Sequence, residues 1–374
     1  MTASPPMQII EFAGSTLRFL EAVPDKAPAD GFIWIYLERD ALREQLAPLQ
    51  RAALVLGGSA LLDLHLQDLE NRSHPSYYDS TSVYDQVVFR RLATSQEVEL
   101  ELRTEGNEVD PASPLQAFQR IRTRAVGFVV FDRLLITVHP GGCYTARLFI
   151  ERYLSDAVHS DGVAGTIRNR LPANPSDLML RMINLMVDSY LELRKLLSAE
   201  MDAWQRELLR PAAKQANWNS LLVARSELHK LEDLCEEQND AMQEWLDTAR
   251  ELPAAMLPQS DRDGLLARAR DVIEHIQRVV HHVRQMEHGA ESAVQIHFSA
   301  QSHQTNEIMR VLTALTAVFM PLNLITGFFG MNFEFLPLIH SRYAMWVVLT
   351  MMLWVGLIVL LIFWRKRFLA RAGR

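Results

Sequence analysis

Residues 327–332 read Gly-Phe-Phe-Gly-Met-Asn, and they close an uncharged stretch that begins at Val311 and ends at Gly330. A second uncharged stretch follows after a short gap and runs from Tyr343 to Trp364. Either stretch is long enough to cross a bilayer as a helix, which takes about 20 apolar residues. The sequence therefore predicts two C-terminal membrane spans, with a glycine hinge and an asparagine amide at the surface where the first span ends.

The basic residues after the second span predict the orientation of the chain. These residues are Arg365, Lys366, Arg367, Arg371 and Arg374. By the positive-inside rule such a tail is cytoplasmic, and two spans return the N-terminal body to the same side. The first ten residues, MTASPPMQII, lack the basic region and apolar core of a signal peptide. We expect a bacterial inner-membrane protein with both termini in the cytoplasm.

Charge, cysteine content and the motifs present limit the classes of function that the chain can have. The formal net charge is −7, although the residues from Met309 onward are net basic, so the preceding body is strongly acidic. An acidic body below a membrane pore would raise the local concentration of cations. The two cysteines, Cys143 and Cys235, have no metal-ligand spacing and suit a reducing compartment. No Walker A motif, dinucleotide-binding loop or nucleophile elbow is present. We expect neither an enzyme nor a nucleic-acid partner.

The pattern changes along the chain from mixed to helical. Residues 40–50 are a helix candidate, and strand character is found in residues 7–14, 15–23, 31–39, 84–93 and 125–140. Helical patterns then run from Asn174 to about Leu209, from Trp218 to about Arg250, and from Ser260 to Gly330. The first two of these predict an antiparallel pair. The third would be roughly 105 Å long, which suggests an oligomeric stalk.

These patterns predict an α+β cytoplasmic domain with a mixed sheet, a long stalk helix and two C-terminal transmembrane helices. The predicted segments are a cytoplasmic α/β domain (1–165), a helical stalk (166–308), a first transmembrane pore helix (309–330), a periplasmic loop (331–342), a second transmembrane helix (343–364) and a basic tail (365–374).

One face of the long helix stays polar or small along its whole length. In steps of three and four residues it contains Gln285, His288, Ser292, Gln295, Ser299, Ser302, Asn306, Met309, Thr313, Thr316, Met320, Asn323 and Gly327. A nearly opposite face is apolar, from Val272 to Ala293. Polar side chains inside a bilayer suit a water-filled axis, which several copies of the span must enclose. The alternative is that Thr and Asn merely bond between packed helices.

Four segments resemble the CorA superfamily of divalent-cation transporters. They are TNEIMRVLT (305–313), FMPL (319–322), ITG (325–327) and GMNFE (330–334). Gly-Met-Asn at the end of the first of two C-terminal spans is the signature of that family, and the resemblance is strong over about residues 265–370. It implies a funnel-shaped homopentamer embedded in lipid, with Gly330, Met331 and Asn332 as the selectivity filter.

The resemblance also implies roles for other residues. By position, the pore-lining residues would be Asn306, Met309, Leu312, Thr313, Thr316, Met320, Asn323 and Gly327. Asp271 matches the stalk position where the family places a regulatory carboxylate, so that bound cation would hold the pore closed. Asn332 would contact the transported ion through its water shell.

Two departures from the family pattern bear on ion choice. The acidic residue common after the signature is absent from Leu336-Pro337-Leu338-Ile339, and Asn323 stands where Thr is common. We therefore expect a divergent member similar to the CmaX and ZntB branch. The transported or regulatory cation would be Mg2+ or a transition metal such as Zn2+, Co2+ or Ni2+, and no covalently bound cofactor is expected.

Three alternative functions remain open: a proton-coupled Zn2+ transporter, an exporter, and a sensor or scaffold. The same fold would also serve a proton-coupled Zn2+ transporter or an exporter. A protein of another class, a membrane-anchored sensor or scaffold without conduction, would leave the polar stripe without a purpose. Separately, Asp63, His65, Asp68 and His74 lie close in sequence and are weighed as a metal-ligand set.

Overall fold

A computed structural model describes residues 7–14, 16–104, 116–119, 121–141, 149, 151, 171–208, 218–251, 259–331 and 343–365. The chain divides into two compact units, Met1–Glu291 and Ser292–Arg374. Asn332, the rest of the predicted outer loop and the tail beyond Arg365 lie outside the described residues.

The first unit contains a seven-stranded mixed sheet in the order β2-β1-β3-β7-β6-β5-β4. Its strands are β1 (Met7–Ala13), β2 (Thr16–Leu20), β3 (Gly31–Glu38), β4 (Tyr77–Ser80), β5 (Asp85–Leu92), β6 (Thr123–Val130) and β7 (Leu134–His139). The central strands β3 and β7 run parallel, whereas the other neighbouring pairs of these strands are antiparallel. This arrangement confirms the predicted mixed sheet.

Both faces of the central strand are buried because alternate side chains of a strand point to opposite faces. Ile33, Ile35 and Leu37 join a core with α1 (Leu46–Gly57) and α2 (Asp63–Glu70). Trp34 lies on the other face, where its indole Nε1 donates to Thr137 Oγ1 at 2.9 Å. The near-continuous apolar run of β3 therefore reflects burial on two sides.

Two short helices, α3 (Ser95–Thr104) and α4 (Gln116–Gln119), lie between β5 and β6 in the chain. Two long helices, α5 (Pro175–Leu208) and α6 (Trp218–Glu251), pack against the sheet. One carbonyl holds the two long helices to β5. The hydroxyl of Tyr190 on α5 donates to Arg90 O at 2.8 Å, and Gln238 Nε2 on α6 donates to the same oxygen at 2.7 Å.

The longest helix, α7, spans Gln259–Phe329, and its first part packs on α5 and α6. Residue numbers rise on both helices from the contact Asp177–Arg268 to the contact Ser198–His282, so α5 and α7 run parallel. Contacts to α6 run in opposite directions, as in Asn239–Gln277 and Arg225–Glu291, so α6 is antiparallel to both. The predicted antiparallel pair is confirmed.

The apolar face predicted on α7 is buried inside the chain's own first unit. Its buried residues there are Val272, Ile276, Val279, Val283, Met286 and Ala290. The sequence alone does not identify the helices against which this face packs. The contacts above show that these helices are α5 and α6, so this face needs no second copy of the chain.

Helix bounds follow the sequence prediction closely except at residues 40–50. There the chain forms a short 3-10 turn, Arg39–Ala41, and α1 begins only at Leu46. Pro48 explains the shift, because proline has no N–H donor and is tolerated in the first turn but not inside a helix. The sequence pattern also failed to predict the helices at residues 63–70, 95–104 and 116–119, and it missed β4, which is short and has the polar composition YYDS.

One carboxyl in this unit has a raised pKa. Asp85 begins β5 next to Tyr78, whose hydroxyl donates to Asp85 Oδ1 at 3.3 Å. Burial raises the pKa of Asp85 to about 6, and the Tyr78 hydrogen bond opposes this only in part. The folded protein therefore binds this proton more tightly than the unfolded chain, and stability falls as the pH rises from about 4 to 6.

Replacing Asp85 by Asn should remove this pH dependence. The unfolding free energy of Asp85→Asn relative to the parent should rise by roughly 2 kcal/mol between pH 4 and pH 7, from the size of the pKa shift. Melting temperatures of the detergent-solubilised proteins, recorded across this range, measure the effect. Asp25→Asn, at an exposed carboxyl, is the control. A pH-independent difference between Asp85→Asn and the parent would contradict the assignment.

Candidate functional site

The second unit contains two helices that are long and apolar enough to cross a membrane: the C-terminal part of α7 and α8 (Ala344–Arg365). Within the described chain, the apolar stretches of both helices are not buried. Leu324 is 74% exposed and Trp354 is 62% exposed. Soluble monomers rarely expose continuous apolar surface of this extent, so lipid or further copies of the chain must cover it.

All eight predicted pore-lining residues lie on the exposed surface of α7. They are Asn306, Met309, Leu312, Thr313, Thr316, Met320, Asn323 and Gly327. In an α-helix each residue turns by about 100°, which places all eight within about 60° of the direction of Met309. The helix continues through Pro321 without a break. The eight positions therefore share one face of α7, and the role of that face stays a prediction.

The threonines of this face satisfy their own hydroxyl protons. Thr313 Oγ1 donates to Met309 O at 2.7 Å, and Thr316 Oγ1 donates to Leu312 O at 2.8 Å. Such bonds to the preceding turn are common for Ser and Thr in helices. These side chains can therefore enter an apolar environment without a water partner. Their oxygen lone pairs remain free to accept a hydrogen bond or face a cation.

Asn323 differs from these threonines. Its side-chain amide has two N–H donors and one acceptor, and no partner for it is found among the described residues. An unpaired amide in hydrocarbon costs several kcal/mol. The Asn323 amide therefore requires water or a second copy of the helix as a hydrogen-bond partner, whereas Thr313 and Thr316 do not. The sequence alone does not distinguish Asn323 from Thr313 and Thr316 in this respect.

A close turn ends α7 at the glycine of the GMN motif. Gly330 N donates to Thr326 O at 2.9 Å, and Met331 N donates to Phe328 O at 3.4 Å. A Cβ atom on Gly330 would lie 2.9 Å from Thr326 O, closer than real Cβ atoms approach. The turn thus requires glycine. It delivers the chain to Asn332, which lies outside the described residues.

The predicted regulatory residue, Asp271, is exposed on the first part of α7. Its Oδ1 lies 3.7 Å from His275 Nε2, and His275 Nδ1 lies 3.7 Å from Asp188 Oδ1 on α5. Sequence reasoning did not find Asp188, because only the parallel packing of α5 on α7 brings it to this place. Two carboxylates therefore flank one imidazole near the predicted regulatory position.

The structure does not bring Asp63, His65, Asp68 and His74 together as a metal-ligand set, which agrees with the ordinary structural interpretation of this segment. The ring nitrogens of His65 lie 2.8 Å from Tyr84 Oη and 3.0 Å from Asp79 Oδ2. His74 instead pairs with Asp68, with 3.3 Å between Nε2 and Oδ1. Each histidine therefore has its own structural partners, and the four side chains do not converge.

Comparison with known proteins identifies relatives along the whole chain. The family model described as "CorA-like Mg2+ transporter protein" matches residues 30–367. A cobalt/magnesium transport protein CorA of Thermotoga maritima is 27% identical over 192 residues, 51% of this chain and 52% of the relative. A magnesium transport protein CorA of Haemophilus ducreyi is 22% identical over 244 residues, 65% of this chain and 71% of the relative. The match thus spans about half the length of the Thermotoga relative.

Solved structures show the same fold. The complete CorA magnesium transporter from Methanocaldococcus jannaschii superposes with a TM-score of 0.69, 16% identity and 99% coverage of both chains. The full-length CmaX protein superposes with a TM-score of 0.59, 15% identity and 97% coverage of both chains. The predicted fold class, a mixed-sheet α+β domain with a long helix and two C-terminal apolar helices, is confirmed.

Cysteine accessibility tests whether the Asn323 face is wet. In a chain in which Cys143 and Cys235 are replaced by Ala, Asn323→Cys should react with a charged, water-soluble thiol reagent in membrane vesicles, because thiolates form only in water. Leu324→Cys, one residue further around the helix, is the matched control and should stay unmodified. A water-facing Asn323 would be contradicted if the two variants were labelled equally, or if Asn323→Cys were not labelled.

Proposed function

Since the chain belongs to the family of CorA-like Mg2+ transporter proteins, we propose that it transports divalent cations across the bacterial inner membrane. The observation that carries this proposal is the extent of the family match. Residues 30–367 include both apolar helices, the polar face of α7 and the Gly330 turn. The matched region therefore contains every part of the chain to which the proposed pathway is assigned.

Several copies of α7 form the pore in this proposal. Two spans of one chain cannot enclose water, and the Asn323 amide has no partner among the described residues. A ring of α7 helices gives that amide water or a neighbouring copy to bond with. In this arrangement α8 faces the lipid, since its residues are uncharged from Ala344 to Trp364. A homopentamer is the proposed assembly.

The amide of Asn332 is proposed to select the ion at the outer mouth. The turn at Gly330 ends α7 just before this residue, so five copies would present a ring of neutral oxygens. Mg2+ sheds its water reluctantly, and neutral oxygens can bind a hydrated cation without trapping it. Further inside, the back-bonded Thr313 and Thr316 would turn acceptor oxygens towards the pathway.

The driving force is proposed to be the electrochemical gradient. A potential of about 100 mV, negative inside, contributes about 2.3 kcal/mol per elementary charge, so a divalent ion gains roughly twice that on entry. The candidate cargo is Mg2+ or a transition metal among Zn2+, Co2+ and Ni2+. The absence of an acidic residue in Leu336-Pro337-Leu338-Ile339 makes the outer mouth less attractive to any cation, which favours tighter-binding metals.

Asp271 is proposed to regulate the pore. A cation bound at Asp271 would hold neighbouring copies together in the closed state. The imidazole of His275 lies beside Asp271, and the carboxylate of Asp188 lies beside the other ring nitrogen of His275. Loss of cytoplasmic metal would remove this link and allow the assembly to loosen.

Substitutions at the end of α7 test the filter. Asn332→Ala should reduce metal flux into proteoliposomes to the level of protein-free vesicles, because the amide ring is lost. Gly330→Ala should also reduce flux strongly, because its Cβ would collide with Thr326 O and displace the motif. Gly356→Ala in α8 is the matched control, since a Cβ there meets no other atom within 4 Å. Parental flux in Asn332→Ala, with the oligomer assembled, would remove the filter assignment.

A metal titration tests the regulatory role of Asp271. In Asp271→Ala the internal metal concentration that closes the pore should rise by about tenfold or more, the effect expected when a metal site is damaged. Glu274→Ala is the control, since Glu274 is a carboxylate on the same helix that pairs with Arg278. If Asp271→Ala and Glu274→Ala close at the same metal concentration as the parent, Asp271 has no regulatory role.

A further inference from the structure

A second group of metal-ligating side chains lies in the first unit, between α6 and α7. His229 and Glu232 are one turn apart on α6, and Glu287 reaches them from α7. One ligand atom from each residue lies within 4.8 Å of the other two, and among the described residues no other group of three meets this condition. Residues three apart on a helix share a face, so two ligands come from one helix and one from its antiparallel neighbour.

Two arginines hold the carboxylates of this group. Arg284 Nε lies 2.5 Å from Glu232 Oε1, and Arg225 Nε lies 3.5 Å from Glu287 Oε1. Each of these guanidinium groups contacts one oxygen of its ligating glutamate. Partners of this kind orient ligating carboxylates in metal sites. Because the same two arginines also pair with Glu236 and Glu291, they offset the charge of the ligating carboxylates only in part.

We propose that His229, Glu232 and Glu287 bind a transition-metal dication of the Zn2+ type within a single chain. The donor set discriminates between metals. An imidazole nitrogen suits Zn2+, Co2+ and Ni2+, whereas Mg2+ requires oxygen ligands in near-octahedral geometry and retains its waters. The carboxylates attract any dication, so the imidazole nitrogen of His229 is the ligand that favours a transition metal over Mg2+.

The proposed site differs from the ion pathway in position and in ligands. Its three residues belong to the unit that ends at Glu291, whereas the pathway residues from Asn306 onward belong to the other unit. Three protein ligands leave a coordination position for water, as in open zinc sites. A metal here would join α6 to α7 and so respond to transition metal in the cytoplasm while Mg2+ is in excess.

Zinc binding to the full-length, detergent-solubilised protein tests this site. After chelator treatment, Zn2+ is titrated calorimetrically in excess Mg2+, so that sites with oxygen ligands are occupied. The parent should bind one more Zn2+ per chain than His229→Ala, and both His229→Ala and Glu287→Gln should weaken this site by at least about tenfold. Substitution with Co2+ should give visible absorption bands in the parent that both variants lack.

Matched variants make the outcome decisive. His229 is exposed on the helix surface, so its replacement leaves the core intact. His281→Ala removes an exposed histidine of α7 outside the group and should bind Zn2+ like the parent. Unchanged stoichiometry and affinity in His229→Ala would overturn the proposal, and so would an equal loss in His281→Ala. Loss in His229→Ala but not in Glu287→Gln would exclude the bridging of two helices.

Discussion

The side-chain amide of Asn323 imposes the constraint on which the rest depends. It lies on the exposed surface of an otherwise apolar helix, and the described part of the chain contains no partner for it. The neighbouring threonines escape this constraint by bonding to the preceding turn. An amide cannot do so as completely, because it has two donors and an acceptor to satisfy. Either water or another copy of the helix must therefore reach this face.

In the first unit, α7 has one apolar face that is buried and another face that is exposed. The residues Val272, Ile276 and Val279 are buried against α5 and α6, which are in turn bonded to the sheet through Arg90 O. The opposite, polar residues of α7 remain exposed. The chain thus satisfies its own hydrophobic requirement in this unit, and the exposed face is available for metal or for further copies.

Long periodic elements were predictable, whereas sites built from several elements were not. The bounds of α5, α6 and α7 follow from helical periodicity and proline positions, and the apolar run of β3 predicts a buried strand. The start of α1 was misplaced because the position of Pro48 within the first turn was not considered. Sequence proximity alone does not show which partners His65 and His74 have, since sheet and helix packing give each its own carboxylate.

The sequence by itself determined the two apolar spans, the glycine before Met331 and the single polar face of α7, because these depend on residue type and spacing along one element. Only the tertiary structure decided that Asp188 lies beside His275 and that Glu287 joins His229 and Glu232. Those residues are far apart in the chain, and their proximity depends on the register between packed helices. Local sequence does not encode that register, because it results from the combined packing of α5, α6 and α7.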